Sequence, residues 1–377
     1  MQNILIVGQF TISILLVVST LTVMQQLKFM KGRALGFDRD QKIVIPVKSN
    51  LAFLRTDYES IKKEFLQHWS ITGATVSSGV PGQQFGGYYM TRQDIPNTDP
   101  QFFKVFTVDY DFISEFGIKL LAGRAFDQIA GNDIANAFLI NETGAQKLGF
   151  ENPADAIGLE LNAHYHGLTK RIIGITADFH YKGMQEIVEP MVLDIENSLF
   201  DRITLSVKAE DLRSTIKFIK EKWSALFPGI PFEYSFVDEI FDRQYRYEEQ
   251  TSRLLAIITS IGLVIASLGL VGLASFTTIR RKKEIGIRKV LGATVSGIVL
   301  LLSKEFTKWV LFANIIAWPV AWYVMKLWLK NFAYRISIGW GLFILAGVLA
   351  LFFALITVSY QSIKAAITNP VESIRYE

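Results

Sequence analysis

Residues 254–293, LLAIITSIGLVIASLGLVGLASFTTIRRKKEIGIRKVLGA, decide how the chain folds. Leu254 to Ile279 carries no charge, and at about 1.5 Å of rise per residue such a helix crosses a hydrocarbon core of roughly 30 Å. The next stretch, Arg280 to Lys289, is dominated by lysine and arginine. Short basic loops stay in the cytoplasm, so Arg280–Lys289 is expected inside and Arg253 outside.

The composition agrees with that reading. Half of the 377 residues are apolar and 20% are charged, yet mean hydropathy is positive at +0.28, so the apolar residues must be concentrated. They lie in four uncharged runs, Met1–Leu27, Leu254–Ile279, Trp309–Met325 and Ile336–Ile363, bracketed by Lys28, Arg253, Arg280, Lys308, Lys326, Arg335 and Lys364. Ile71–Thr91 is also uncharged, but it is rich in Gly, Ser, Gln and Tyr and reads as strand and loop. The net charge of +4 is accounted for by the basic stretch alone, which suits a membrane surface better than nucleic acid. There is no cysteine, which excludes disulfides, thiolate chemistry and cysteine-bound zinc.

Taken in order, residues 1–27 form a first membrane helix, with Gln9, Thr11, Ser13, Ser19 and Thr22 expected to face other helices. It lacks the basic flank and small-residue cleavage site of a signal peptide. Residues 28–237 read as a mixed α+β domain outside the membrane. Strands are expected at Lys42–Val47, Phe102–Val108, Arg171–Ile175, Met191–Ile195, Ile203–Val207 and Phe232–Phe236. Helices are expected at Asp57–Trp69, Glu142–Leu148 and Asp211–Phe227, the last with Leu212, Ile216, Ile219, Trp223 and Leu226 on one face.

Residues 238–253 predict a stalk helix continuous with the membrane helix, with Glu239–Arg243, Asp242–Arg246 and Glu249–Arg253 at i, i+4. The region 254–377 then holds membrane helices at about 254–279, 306–326 and 337–361, with a cytoplasmic segment at 280–294 between the first two. Gly292 ends a helix there and Thr294 caps the next. Val290–Ser303 is too short to span and suits the interface. Four crossings leave both termini in the cytoplasm.

Residues with catalytic chemistry are not found. No Gly-Lys dipeptide occurs, hence no Walker A loop, and neither a Gly-x-Ser-x-Gly elbow nor a His-Glu-x-x-His helix is present. His164 and His166 alternate on an expected strand without a third ligand at fixed spacing. The chain is therefore read as a non-enzyme, with no catalytic, cofactor-binding or metal-binding residue and no nucleic-acid partner. The basic stretch sets topology and meets anionic head groups. Its mixture of apolar and charged residues around Gly286 also suits a helix that docks in a groove.

The run RRKKEIGIRKVLGATVSGIVLLLSKEF (280–306) resembles the hallmark of FtsX-like ABC transporter permeases of the MacB-like group. The resemblance continues in NPVESIRYE (369–377), and in GFDRDQKIVIPV (36–47), GIKLLAGRAF (117–126) and IIGITADFHYKGMQEIVEPMVL (172–193). It implies a four-helix permease of a bacterial inner membrane, with a Porter/Sabre-like periplasmic core domain between helices 1 and 2. Its partners would be a separate ABC ATPase at the cytoplasmic face, a second permease half forming a homo- or heterodimer, membrane lipid and a periplasmic partner. Lys283, Glu284, Ile285, Gly286, Ile287, Arg288, Lys289, Leu291, Gly292 and Ala293 would form the ATPase-coupling segment. The work would be mechanotransmission for export or extraction of a large or lipophilic compound. The alternative is an FtsX-like regulator of a periplasmic cell-wall hydrolase or peptide-sensing complex. The bare start at Met1 resembles the point where the second half of an eight-helix permease begins.

Overall fold

A computed structural model of the chain describes residues 2–47, 51–129, 132–164, 167–281, 284, 287–288 and 291–367. The chain forms two compact units, one of the first helix and everything from Tyr247 onward, the other Arg33–Arg246. Helix α1 (Gln2–Gly32) opens the first unit.

The second unit begins with β1 (Lys42–Pro46), α2 (Leu51–Phe65), β2 (Ile71–Ser77), β3 (Gly87–Arg92) and β4 (Gln101–Thr107). It continues through α3 (Phe112–Glu115), β5 (Leu120–Gly123), α4 (Asp133–Asn136), β6 (Ala137–Asn141) and α5 (Glu142–Lys147). Then come β7 (Glu160–Ala163), β8 (Leu168–Thr176), β9 (Met191–Asp194), β10 (Arg202–Val207), α6 (Leu212–Leu226), β11 (Ser235–Phe236) and α7 (Val237–Asp242). Strands β11-β1-β10-β2 make an antiparallel sheet. On it α6 lays the face read from its spacing, with Ile219 and Trp223 fully buried. The second sheet runs β5-β8-β6-β9-β4-β3-β7, with β4–β9 and β6–β8 parallel. Because β7 pairs with both β3 and β8, six strands of this sheet, β8-β6-β9-β4-β3-β7, close into a ring, with β5 added on β8.

Most expected strands and helices are present. The difference at Phe232–Phe236 is that only Ser235–Phe236 pairs, opposite Ile43 and Val44 of β1. Strands β5, β6 and β7 were not foreseen, since β6 is buried throughout and shows no alternation.

Returning to the first unit, α8 (Arg246–Arg280), α9 (Val295–Leu329) and α10 (Trp340–Ile367) join α1 as four helices long and apolar enough to cross a membrane. Buried alanines at four-residue steps, Ala313, Ala317 and Ala321 on α9 and Ala346, Ala350 and Ala354 on α10, meet Ile14 and Val18 of α1 in one core. Small side chains let backbones approach where lipid supplies no hydrophobic drive. Most of the segment read as interfacial and the whole of the third crossing belong to one 35-residue helix, α9. The sequence around Ser303-Lys304-Glu305 holds no breaker, and Glu305 pairs with Arg281 at 2.9 Å.

Gln26 ties the α9–α10 connection to α1. It is fully buried, donates from Nε2 to the Tyr334 carbonyl at 2.8 Å and accepts from the Ile336 amide at 2.9 Å. Gln26→Leu would orphan both backbone groups. It is expected to cost about 1–3 kcal/mol, read as a lowered melting temperature of the detergent-solubilised chain; an unchanged value would show that water replaces the side chain there.

Candidate functional site

In the segment that follows α8, four of the described residues share a face. Glu284, Ile287, Arg288 and Leu291 stand at i, i+3, i+4 and i+7, the spacing of a single helix stripe. Glu284 and Arg288 pair at 2.8 Å. Beside them Ile287 is 56% exposed and Leu291 is 80% exposed.

The stripe ends where the sequence placed its stop. The Leu291 amide donates to the Ile287 carbonyl (3.0 Å) and the Ala293 amide to the Arg288 carbonyl (2.9 Å), with Gly292 between them at φ +90°. That left-handed conformation favours glycine. Thr294 then caps α9, its Oγ1 accepting from the Gly297 amide at 3.2 Å. Lys283, Ile285, Gly286 and Lys289 lie outside the described residues, as do His166 and the 369–377 motif. The stripe can seat two aliphatic side chains in an apolar groove and two charges against its rim.

Helix α8 leads into this segment and is held lightly. Its most apolar window is 17% buried, against 44% for α1. Leu270 and Ala274 share an apolar cluster with Ile6, Phe10 and Ile14 of α1, and polar contacts flank it. Thr20 Oγ1 and Thr259 Oγ1 are 2.8 Å apart, Gln9 Nε2 donates to the Ile265 carbonyl at 2.8 Å, and Lys31 pairs with Glu249. Gly262 and Gly269 give the room: a Cβ would meet Leu16 at 3.3 Å and Gln9 at 2.6 Å respectively. Gln9 thus faces another helix, as its polarity suggested. Glu249 pairs with Lys31 across to α1, and Asp242 with Arg39 at 3.0 Å, tertiary partners in place of the helical i, i+4 ones. A 3-10 turn, Arg243–Tyr245, separates α7 from α8.

In the β-rich unit the DFHYKGM motif (178–184) forms a strap. Asp178 accepts from Asn141 Nδ2 (2.8 Å), the Thr143 amide (3.0 Å) and Thr143 Oγ1 (2.5 Å). His180 donates its amide to the Leu35 carbonyl at 2.7 Å, and a Cβ on Gly36 would meet the Asp178 carbonyl at 2.6 Å. Further along, the Gly183 amide donates to Gln244 Oε1 (2.5 Å) and the Met184 amide to Tyr245 Oη (3.2 Å). The strap therefore bonds the first residues of the unit, its last turn and the closed sheet. Burial pushes the His180 imidazole below its ordinary range, opposed by Asp178. The motif was visible in the sequence, but its role needs the fold.

Among the described residues, Glu59, Asp109 and Asp111 bring carboxylates close enough to share a metal ion. Their cation is already present, because Lys62 Nζ lies 2.7 Å from Asp109 and 3.2 Å from Glu59 and also pairs with Asp111. Asp109 is fully buried, and burial lifts its carboxyl to about 6 against the pull of Lys62. Burial pushes Lys62 down, but Asp109 and Asp111 outweigh it and hold the ammonium above its ordinary range. His164 is bonded to Thr91 Oγ1 at 2.5 Å.

Residues 256–370 match the family described as the FtsX-like permease C-terminal region. A macrolide export ATP-binding/permease protein, MacB of Bdellovibrio bacteriovorus, is 33% identical over 134 residues, which are 33% of this chain and 19% of that protein. The match thus spans about a fifth of that relative's length. An uncharacterized ABC transporter permease of Bacillus subtilis, YvrN, is 24% identical over 300 residues, 74% of this chain and 72% of the relative. Among solved structures, the periplasmic region of MacB from Actinobacillus actinomycetemcomitans aligns with a TM-score of 0.38 and 15% identity. That alignment covers 54% of this chain and 92% of that one. The extracellular domain of the ABC-type transporter YknZ from Gram-positive bacteria gives 0.37 and 13%, covering 52% and 98%.

Proposed function

Because residues 256–370 belong to the FtsX-like permease family, we propose that this chain is the membrane subunit of an ABC transporter, driven by an ATPase on another chain. The observation that carries the reading is the exposed Ile287–Leu291 stripe with its Glu284–Arg288 pair. It follows directly on a helix of membrane-spanning length and charge-marked end, where an ATPase beneath a bilayer has access. The coupling segment is Lys283 to Lys289 with Leu291, Gly292 and Ala293. The β-rich unit lies outside a bacterial plasma membrane, both termini lie in the cytoplasm, and a second permease half completes the assembly.

In this scheme ATP binding and hydrolysis shift the coupling segment, and α8 carries that displacement away from the cytoplasm. The lightly held α1–α8 contact supports such a movement. The β-rich unit, strapped to its own first and last residues, responds as a body and expels or extracts a large or lipophilic compound.

The test is retention of partners by the mildly solubilised chain from its native membrane. A P-loop ATPase and a second permease half are the expected companions. Recovery of an outer-face hydrolase with the ATPase would move the role to regulation of that enzyme, and recovery without any ATPase would return the basic stretch to a topology signal.

A further inference from the structure

Where α9 gives way to α10, Ile315, Trp318 and Trp322 face Trp340 and Phe343 across a recess of about 610 Å³. Its wall is built in advance. The Trp318 indole N–H donates to Asn314 Oδ1 at 2.9 Å, and Asn314 Nδ2 donates to the Val310 carbonyl at 2.8 Å, which fixes the ring. Phe343 sits between Trp318 and Trp340, with centroids at 6.0 Å and 6.1 Å. Pro319 also lines the recess and has no N–H, so the Ile315 carbonyl lacks its helical donor.

One turn beyond Trp322 stands Lys326, its Nζ 4.6 Å from the Trp322 ring centre. Among the described residues no carboxylate pairs with it. From Ile315 to Lys326 the helix advances about 16 Å, the depth of one leaflet of a core about 30 Å thick. The recess opens past Ile315, which is 66% exposed, on a surface that faces the hydrocarbon core when the helices span a bilayer.

We propose that this recess is a binding site for one anionic phospholipid, an acyl chain lying along the tryptophan wall and the phosphate on the Lys326 ammonium. The apolar lining gives a soluble ligand no polar anchors, whereas a phospholipid matches both the length and the charge at the mouth. Fixed aromatic rings and a concave wall distinguish the site from the general lipid contact of the outer helix faces. It requires that the helices span a membrane and is independent of ATPase coupling.

The test is native mass spectrometry of the full chain, stripped of lipid in detergent and titrated with dioleoylphosphatidylglycerol. One adduct per chain should survive activation that removes all others. Lys326→Gln should weaken its retention about tenfold, and Ile315→Trp, which fills the recess from an exposed position, should do the same. Lys330→Gln, a nearby exposed lysine, should leave it unchanged. The lipid-free melting temperature of each variant separates loss of the adduct from loss of fold. Adducts that ignore both recess variants, or that fall equally with Lys330→Gln, would mark unspecific lipid and overturn the site.

Discussion

Lys62→Met is expected to remove about 3–5 kcal/mol from the β-rich unit, because it strands a fully buried carboxylate. Lys62 stands on α2 with its ammonium in contact with Glu59, Asp109 and Asp111. Asp109 also accepts from Thr75 Oγ1, so the cluster joins α2 to β2 and to the chain leaving β4. Methionine fills the volume of the lysine stem but supplies no charge. The effect depends on pH with a definite sign. The folded Asp109 carboxyl is raised to about 6, above its unfolded value near 4. A raised carboxyl favours folding most below the unfolded value, and that contribution is lost as pH rises through 6. Without Lys62 the carboxyl rises further, so the deficit of the variant should be largest above pH 7 and shrink towards pH 5. Pulse proteolysis of the full chain in urea at the two pH values measures it. An equal deficit at both would show that lost packing, and not the stranded carboxylate, is responsible.

Exchanging the charges of the coupling stripe, Glu284→Lys with Arg288→Glu, should reduce the ATPase recovered with the chain at least about tenfold while leaving the protein folded. The exchange preserves an i, i+4 pair and forfeits only its favourable acid-first order, a few tenths of a kcal/mol. Both side chains are exposed and bond to each other, so no buried group loses a partner. What changes is the sign of each charge at the rim of the stripe, and a complementary rim then meets like charge. Leu291→Asp tests the apolar part of the same surface, since Leu291 is 80% exposed and holds no core together. Undiminished recovery of the ATPase with both variants would remove this stripe from the docking surface.

Charge and hydropathy made the membrane helices legible, because a span of uncharged residues with basic flanks has few alternatives. The stop at Gly292 and the cap at Thr294 were legible for a local reason, since each satisfies backbone groups within a few residues. The continuity of Val295–Ser303 with the third crossing was not legible, because the reading rested on the length of an uncharged run. A single helix tolerates Lys304 and Glu305 once Arg281 offers Glu305 a partner. Strand β6 escaped notice because a strand covered on both faces has no period to detect. Lys62 and Gln26 could not have been found at all. Their partners stand 47 and 308 residues away, and only the assembled fold brings them together.

Gly262, Ala266 and Gly269 succeed one another on α8 at steps of four and three residues, and α1 meets the two glycines with Leu16 and Gln9. A Cβ at Gly269 would stand 2.6 Å from Gln9 and one at Gly262 3.3 Å from Leu16, so an axial slip of one turn, about 5.4 Å, would bring a bulkier residue beneath Leu16 or Gln9. The same slip would break the Thr20–Thr259 bond. Bulk and hydrogen bonding thus agree on one setting of the two helices along their axes, and the glycines act as a keyway that admits α1 in that setting.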